Sequence, residues 1–175
     1  MDLYETIFEA IDMRSFSNLW YWIALAVTWS TASHFVIGVP FDLVLRARRK
    51  GGDAAQDLEL LVRINCNRLQ YIGEVAGLWL LTLVSAVLSA LLVLGFWYGV
   101  EFAQALVLLA LPLSGVMLLS LFTARMITQL QLSGEALHAR LARHRLYVQI
   151  IGMVSIFVTA IWGMNQNLNL GPLGG

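Results

Sequence analysis

Residues 75–97 read VAGLWLLTLVSAVLSALLVLGFW and contain no Asp, Glu, Lys or Arg. A helix over this stretch covers roughly 30 Å, which is the thickness of the hydrocarbon core of a bilayer. Only the short link YGVE, residues 98–101, separates it from a second uncharged stretch, residues 102–124. Because so short a link forces the chain to reverse, the sequence predicts an antiparallel transmembrane hairpin.

Two further uncharged stretches, residues 19–39 and 146–164, flank this hairpin in the chain. Hydrophobic residues make up 59% of the chain and charged residues only 13%, whereas a soluble domain carries about a quarter charged residues. A chain of 175 residues is too small to hide so much apolar surface from water. We therefore predict a single transmembrane domain, residues 1–175, with an all-α, integral membrane four-helix bundle. Its predicted spans are residues 19–39, 75–97, 102–124 and 146–164.

The segment before the first span has the pattern of an amphipathic helix. Leu3, Ile7 and Ile11 fall on one helical face, and Glu5 and Glu9 fall on the other. We expect this short N-terminal helix to lie on the external membrane surface.

Lysine and arginine collect in the cytoplasmic segments of membrane proteins. Here they follow the first span and surround the link between the third and fourth spans: Arg46, Arg48, Arg49, Lys50, Arg63, Arg68, Arg125, Arg140, Arg143 and Arg145. The link at residues 98–101 has none. The charge pattern predicts that both basic segments are cytoplasmic and that both termini face the periplasm or lumen.

A polar stripe leads into the second span. Arg63, Asn67, Gln70 and Glu74 are spaced by four, three and four residues, and Tyr71 lies beside them. At about 100° per residue they share one helical face. A carboxylate at membrane depth costs a few kcal/mol, so Glu74 should face the bundle interior or water. The stripe is either a hydrogen-bonded contact between helices or a polar pocket for a charged ligand.

The segment RINCNRLQY, residues 63–71, resembles the second-helix signature of the membrane-associated proteins in eicosanoid and glutathione metabolism, the MAPEG proteins. Their pattern is Arg, three residues, Asn, two residues, Glu, Tyr, just before an apolar span. Those proteins are also small, have four spans in the same orientation, and carry a basic first loop. The resemblance covers about residues 46–79. Gln70 stands where the family has Glu. Arg125 matches an arginine of the family's third helix, but Thr128 stands where the family has the tyrosine that follows this arginine.

This resemblance implies a homotrimer that binds glutathione at its cytoplasmic end, between subunits. Arginines would hold the carboxylates, Asn67 and Gln70 the amides, and Glu74 the ammonium group. If the chain is an enzyme, the resemblance implies a glutathione-dependent transferase or peroxidase-like activity, in which a nearby cation lowers the pKa of the thiol. The family's catalytic arginine has no clear counterpart, and Arg140 is the candidate. The expected ligand-binding residues are Arg46, Arg48, Arg49, Arg63, Asn67, Gln70, Tyr71, Glu74 and Arg125.

The first half of the chain, notably the segment DMRSFSNLW at residues 12–20, is similar to alphaproteobacterial membrane proteins labelled as a component of the SufBCD complex. That similarity implies the bacterial inner membrane and a second function. The chain would be a non-enzymatic accessory subunit that docks a cytoplasmic partner, such as iron–sulfur assembly machinery, on its basic loops. The single cysteine, Cys66, excludes a cysteine-held cluster within one chain. We expect no metal, haem or nucleic-acid partner.

Several smaller features complete the sequence prediction. His34 should be a hydrogen-bonded interior residue, and Cys66 an inert thiol. We interpret Arg140, Arg143, His144 and Arg145 as a contact for anionic lipid. Other expectations concern helix ends and packing: a stop near Pro40, breaks at Gly51-Gly52 and Ser133-Gly134, a capping box from Asp53 to Gln56, and close helix packing at Ser85, Ser89, Ser155, Thr159 and Gly163.

Overall fold

The computed structural model describes residues 15–169 and is almost entirely helical. The predicted N-terminal amphipathic helix lies outside the described residues. Within this range the five α-helices are α1 (Leu19–His34), α2 (Phe41–Lys50), α3 (Gly52–Leu92), α4 (Glu101–Gln129) and α5 (Gly134–Asn169). The shorter elements are a 3₁₀ turn (Ser15–Ser17), strands β1 (Phe35–Val36) and β2 (Val39–Pro40), and a π-helical turn (Val93–Trp97) at the end of α3.

Three of these helices are long and apolar enough to cross a membrane: α3 with its π-helical turn, α4 and α5. They contain the predicted spans 75–97, 102–124 and 146–164. The most apolar stretch of α3 has no buried residue within the protomer. The structure is therefore that of an all-α protein compatible with a membrane, and one of its long helices lacks apolar cover.

The first predicted span, residues 19–39, differs from the structure. Helix α1 has 16 residues, or about 24 Å, and ends at His34 rather than near Pro40. An antiparallel hairpin follows, in which Val36 pairs with Val39. The two turn residues, Ile37 and Gly38, have φ angles of 53° and 74°, as in the tight turns that favour glycine. Pro40 also disfavours helical backbone at Val39, which favours the extended conformation of β2 there.

Helix α1 nevertheless runs alongside the apolar part of α5. At one end of the molecule, the Phe16 amide donates a 2.7 Å hydrogen bond to the carboxylate of Glu101 at the start of α4. At the other end, Arg145 Nε of α5 donates to the Ser33 carbonyl at 3.2 Å. We call the first the Tyr98 end, after the α3–α4 link, and the second the α2 end, after the short basic helix that lies there.

The breaks between helices occur where the sequence predicts them, but one cap differs. Helix α2 stops at Lys50, and Gly51, with a φ of 60°, turns the chain into α3. Gly51 is also the N-cap of α3, and no side chain caps it, so the predicted capping box at Asp53 is wrong. Helix α5 begins at Gly134, whose amide donates to the Glu59 carboxylate of α3 at 2.7 Å. That carboxylate stabilises the positive end of the α5 dipole.

The main hydrophobic core lies at the α2 end. There, one face of α3 packs against α2, the hairpin, α4 and α5. Its fully buried members include Val39, Val44, Leu58, Val62, Cys66, Ala124, Leu137 and Leu141. This core fixes the rotation of α3 and so decides which of its residues face outward.

A buried glutamine joins three elements at the Tyr98 end. Gln104 of α4 is only 5% exposed. Its Nε2 donates to the Gly95 carbonyl in the π-helical turn at 2.7 Å. Its Oε1 accepts from Trp162 Nε1 at 2.9 Å and from Gln166 Nε2 at 3.1 Å, both on α5. Gln104 therefore connects the α3–α4 hairpin to α5.

Small residues of α5 allow close approach inside the protomer, in agreement with the sequence prediction. Ser155 Oγ donates to the Leu108 carbonyl of α4 at 3.3 Å, and Thr159 is fully buried. Gly163 faces the ring of Phe16, and Gly152 faces the ring of Trp29. The serines of α3, Ser85 and Ser89, are instead exposed.

Candidate functional site

The predicted stripe on α3 lies on the outer surface of the protomer. Arg63, Asn67, Tyr71 and Glu74 are exposed, and Gln70 is half-buried. They are exposed because α3 is rotated so that its adjacent face, with Leu58, Val62 and Cys66, packs in the core. Of the two surroundings expected for Glu74, the structure excludes the interior of the protomer. The stripe residues share one face as predicted, and that face is on the outer surface of the protomer rather than in its interior.

Gln70 is the stripe residue that is tied to another helix. Its Nε2 donates to Thr128 Oγ1 of α4 at 2.6 Å and approaches the Ala124 carbonyl at 3.4 Å. Thr128 in turn donates to the same carbonyl at 3.1 Å. This part of the stripe holds α3 and α4 together, as the structural interpretation requires. The amide nitrogen of Gln70 is already engaged.

Arg125 lies beside the stripe without pairing with it. Among the described residues, no ion pair within 4.0 Å joins Arg125 to Glu74. Arg125 is at one end of a groove between α3 and α4 with a volume of about 270 Å³. Gly73 and Gly77, which flank Glu74 in the sequence, line the same groove. The groove therefore places a cation and two small residues next to the stripe.

The remaining predicted arginines are divided between two elements. Arg46, Arg48 and Arg49 are exposed on α2, which packs on the first part of α3. Only Arg49 makes a local bond, from its Nε to the Leu45 carbonyl at 3.3 Å. Arg140 on α5 is half-buried, and its Nε is buried without a hydrogen-bond partner. The α2 arginines and the stripe thus share the α2 end of the molecule.

Of two single residues in the sequence prediction, His34 lies elsewhere than expected and Cys66 lies where its expected role requires. His34 is not an interior residue, because 55% of its side chain is exposed and its Nε2 lies 4.0 Å from Asp42. The early end of α1 moves it to the surface. Cys66 is completely buried in the core, which agrees with an inert thiol. Within residues 15–169, His, Cys, Asp and Glu side chains form no group of three that is able to share a metal ion.

The sequence does not predict one pocket, which combines polar and apolar lining residues. A pocket of about 390 Å³ lies at the α2 end between α1, the hairpin, α3, α4 and α5. Its polar lining residues are Asn65, Arg68, Ser120 and His144. His144 was interpreted as part of a lipid-binding surface cluster, but it is 2% exposed. The spacing of Ser120 and Thr123 on one turn of α4 was the available signal for a buried polar partner.

His144 is held by two hydroxyl groups of α4. Its Nδ1 lies 3.0 Å from Thr123 Oγ1, and its Nε2 lies 3.5 Å from Ser120 Oγ. The Ser120 hydroxyl donates its proton to the Val116 carbonyl at 2.9 Å. Ser120 Oγ is therefore left to accept, which assigns the imidazole proton to Nε2 and makes Nδ1 the acceptor from Thr123. The N–H of His144 is thus engaged by Ser120, and both ring nitrogens are satisfied at the wall of the pocket.

Comparison with known proteins yields no relative. The chain matches no family model, and no curated protein or solved structure is significantly similar to it.

Proposed function

We propose that the chain is a multi-pass protein of the bacterial inner membrane that binds glutathione, or a similar anionic thiol, at the α2 end, as MAPEG-like proteins do. Three exposed side chains carry this proposal: Arg63, Asn67 and Glu74 lie on the outer face of α3, directly before its apolar stretch. Charged groups next to the hydrocarbon core need a ligand, water or another protein around them. A ligand site between copies of the chain would provide such surroundings.

A homotrimer would provide the missing cover. The apolar stretch of α3 is unburied in the protomer, and helices in membranes associate through close packing and polar contacts. The small residues of α5 are not available for this purpose, because Ser155, Thr159 and Gly163 are already buried inside the protomer. We therefore propose α3, rather than this face of α5, as the contact between subunits.

We also propose that α1 is a fourth span, so that both termini are external and the α2 end is cytoplasmic. Two contacts of α1 support this arrangement: the Tyr21 hydroxyl donates to the Ala105 carbonyl of α4 at 3.2 Å, and Arg145 of α5 donates to the Ser33 carbonyl. Its 16 residues are short for a span, but the hairpin that follows extends its reach, and a bilayer adapts to a short helix at a modest free-energy cost.

Cysteine labelling tests this topology. Lys50→Cys should react with a membrane-impermeant maleimide only after the membrane is opened, whereas Tyr98→Cys should react in intact spheroplasts. Both positions are exposed, and the native Cys66 is a silent background because it is fully buried. Unmodified protein is the control. Reaction of Lys50→Cys from outside in intact spheroplasts would reverse the proposed orientation.

Thermal unfolding of the purified protein tests the ligand. We expect glutathione to raise the unfolding temperature of the wild type and Arg63→Ala to weaken binding about ten- to a hundredfold. One charge-assisted contact is worth roughly 1.5–3 kcal/mol. Because Arg63 is exposed, its removal leaves the core intact. Arg143→Ala is the matched control, since Arg143 is an exposed arginine of α5 outside the candidate site.

The same experiment distinguishes glutathione binding from the alternative function. If glutathione leaves the wild type unchanged while Arg63→Ala and Gln70→Ala unfold at lower temperature, the stripe is structural and glutathione binding is rejected. The accessory-subunit function would then stand. A specific observation favours it as the second candidate: Arg46, Arg48, Arg49 and Lys50 are all exposed on α2, where an acidic cytoplasmic protein would reach them.

A further inference from the structure

We infer that the pocket between α1, the hairpin, α3, α4 and α5 binds a single-chain amphiphile with an anionic head group, of the long-chain fatty acid class. The pocket shares no residue with the polar stripe of α3. Its volume of about 390 Å³ lies within the range of small-molecule sites, which is about 300–1,000 Å³. The inference is therefore independent of glutathione binding.

The pocket changes from polar to apolar along the molecule. On α3 its lining runs from Asn65 and Arg68 toward Ile72, in the direction of the apolar stretch. On the antiparallel α4 it runs from Ser120 to Met117, away from the end of that helix at the α2 end. Both helices thus place polar groups at the α2 end and apolar groups deeper. An amphiphile has the same gradient along its own length.

The polar groups select an anion. Arg68 is the one residue with a permanent charge in the lining, and no carboxylate lines the pocket. Within the described part of the chain, no acidic side chain lies within 4.0 Å of the Arg68 guanidinium. The side-chain amide of Asn65 adds a further donor. A carboxylate, which is acceptor-only when ionised, satisfies donors of this kind.

A pocket of about 390 Å³ is small for a bilayer lipid with two chains. Its apolar lining comes from neighbouring elements, with Phe35 and Ile37 at the hairpin and Ile72 of α3 and Val116 of α4 farther along the molecule. Met117, which is 51% exposed, lies on its open side. A single chain enters through that side from the bilayer, while its head group remains beside Arg68.

Photoaffinity labelling tests the site. The probe is hexadecanoic acid with a diazirine in its chain, added to the protein in nanodiscs of neutral lipid. We expect labelled peptides from the pocket walls, around Ile72 and Met117, with competition by hexadecanoic acid. Its methyl ester should not compete, because it lacks the charge that Arg68 binds. Hexanoic acid should compete poorly, because its chain is too short to fill the apolar part.

Two variants make the test specific. Arg68→Gln should reduce pocket labelling at least tenfold, whereas Arg143→Gln, an exposed arginine on α5, should leave it unchanged. Met117→Trp should block the open side without loss of the fold, since Met117 is half-exposed. Equal competition by the methyl ester, or labelling spread evenly over the exposed face of α3, would show lipid contact alone and overturn the inference. Glutathione should not affect labelling, so failure of either proposal is distinguishable from failure of the other.

Discussion

Replacing Gln104 with leucine should lower the free energy of unfolding by about 3 kcal/mol. Gln104 is buried and makes three hydrogen bonds, with Gly95, Trp162 and Gln166. Leucine has a similar size but no polar atoms. It therefore leaves the Gly95 carbonyl and the Trp162 indole N–H without this partner at a buried site, and each such loss costs about 1–3 kcal/mol.

The measurement is reversible unfolding in bicelles, followed by steric trapping. Ser114→Ala is the control on the same helix, because the Ser114 hydroxyl bonds only to the Leu111 carbonyl of its own turn, at 2.6 Å. It should change the free energy of unfolding by less than about 0.5 kcal/mol. A Gln104→Leu protein as stable as the wild type would mean that the glutamine does not hold the Tyr98 end together.

Replacing Gly152 with valine should destabilise the protein by about 3 kcal/mol. A Cβ atom at Gly152 would lie 2.8 Å from Cε3 of Trp29, closer than real Cβ contacts. Trp29 is 3% exposed, so its ring has no free space into which to move. The added methyl groups would force α1 away from α5. Thermal unfolding in a mild detergent should show a clear decrease in midpoint for this variant.

Gly115→Val is the matched control for steric effect. An added Cβ at Gly115 meets no atom within 4 Å, so valine there should leave the midpoint nearly unchanged. A second comparison, Gly152→Ala, should fall between wild type and valine, since a single methyl group already requires the ring to shift. If Gly152→Val unfolds at the wild-type temperature, α1 does not pack on α5 as the structure describes.

The long helices were predictable because their signal is local. An uncharged stretch such as residues 75–97 needs no knowledge of its neighbours to be assigned as a helix of membrane length. The same holds for the breaks at Gly51 and Gly134, where glycine adopts positive φ. The early end of α1 was harder to predict, since it depends on a turn at Ile37 and Gly38 inside an otherwise uncharged stretch.

The candidate site was predictable only as a list of residues. Periodicity placed Arg63, Asn67 and Glu74 on one face, which the structure confirms. Which way that face points depends on the rotation of α3, and this is set by core contacts with elements far apart in the chain. For the same reason the sequence did not show that His144, inside a basic segment, is buried against Thr123.

Helix α3 has 41 residues and no break, so it extends about 60 Å from Gly52 to Leu92. Because the helix is continuous, its first part and its apolar part tilt together. The Glu59 carboxylate attaches the start of α5 to the first part. A tilt of about 10° around the middle of such a rod would displace its end by about 5 Å. A change in bilayer thickness that tilts the apolar part of α3 would therefore move Arg63 and the start of α5 together.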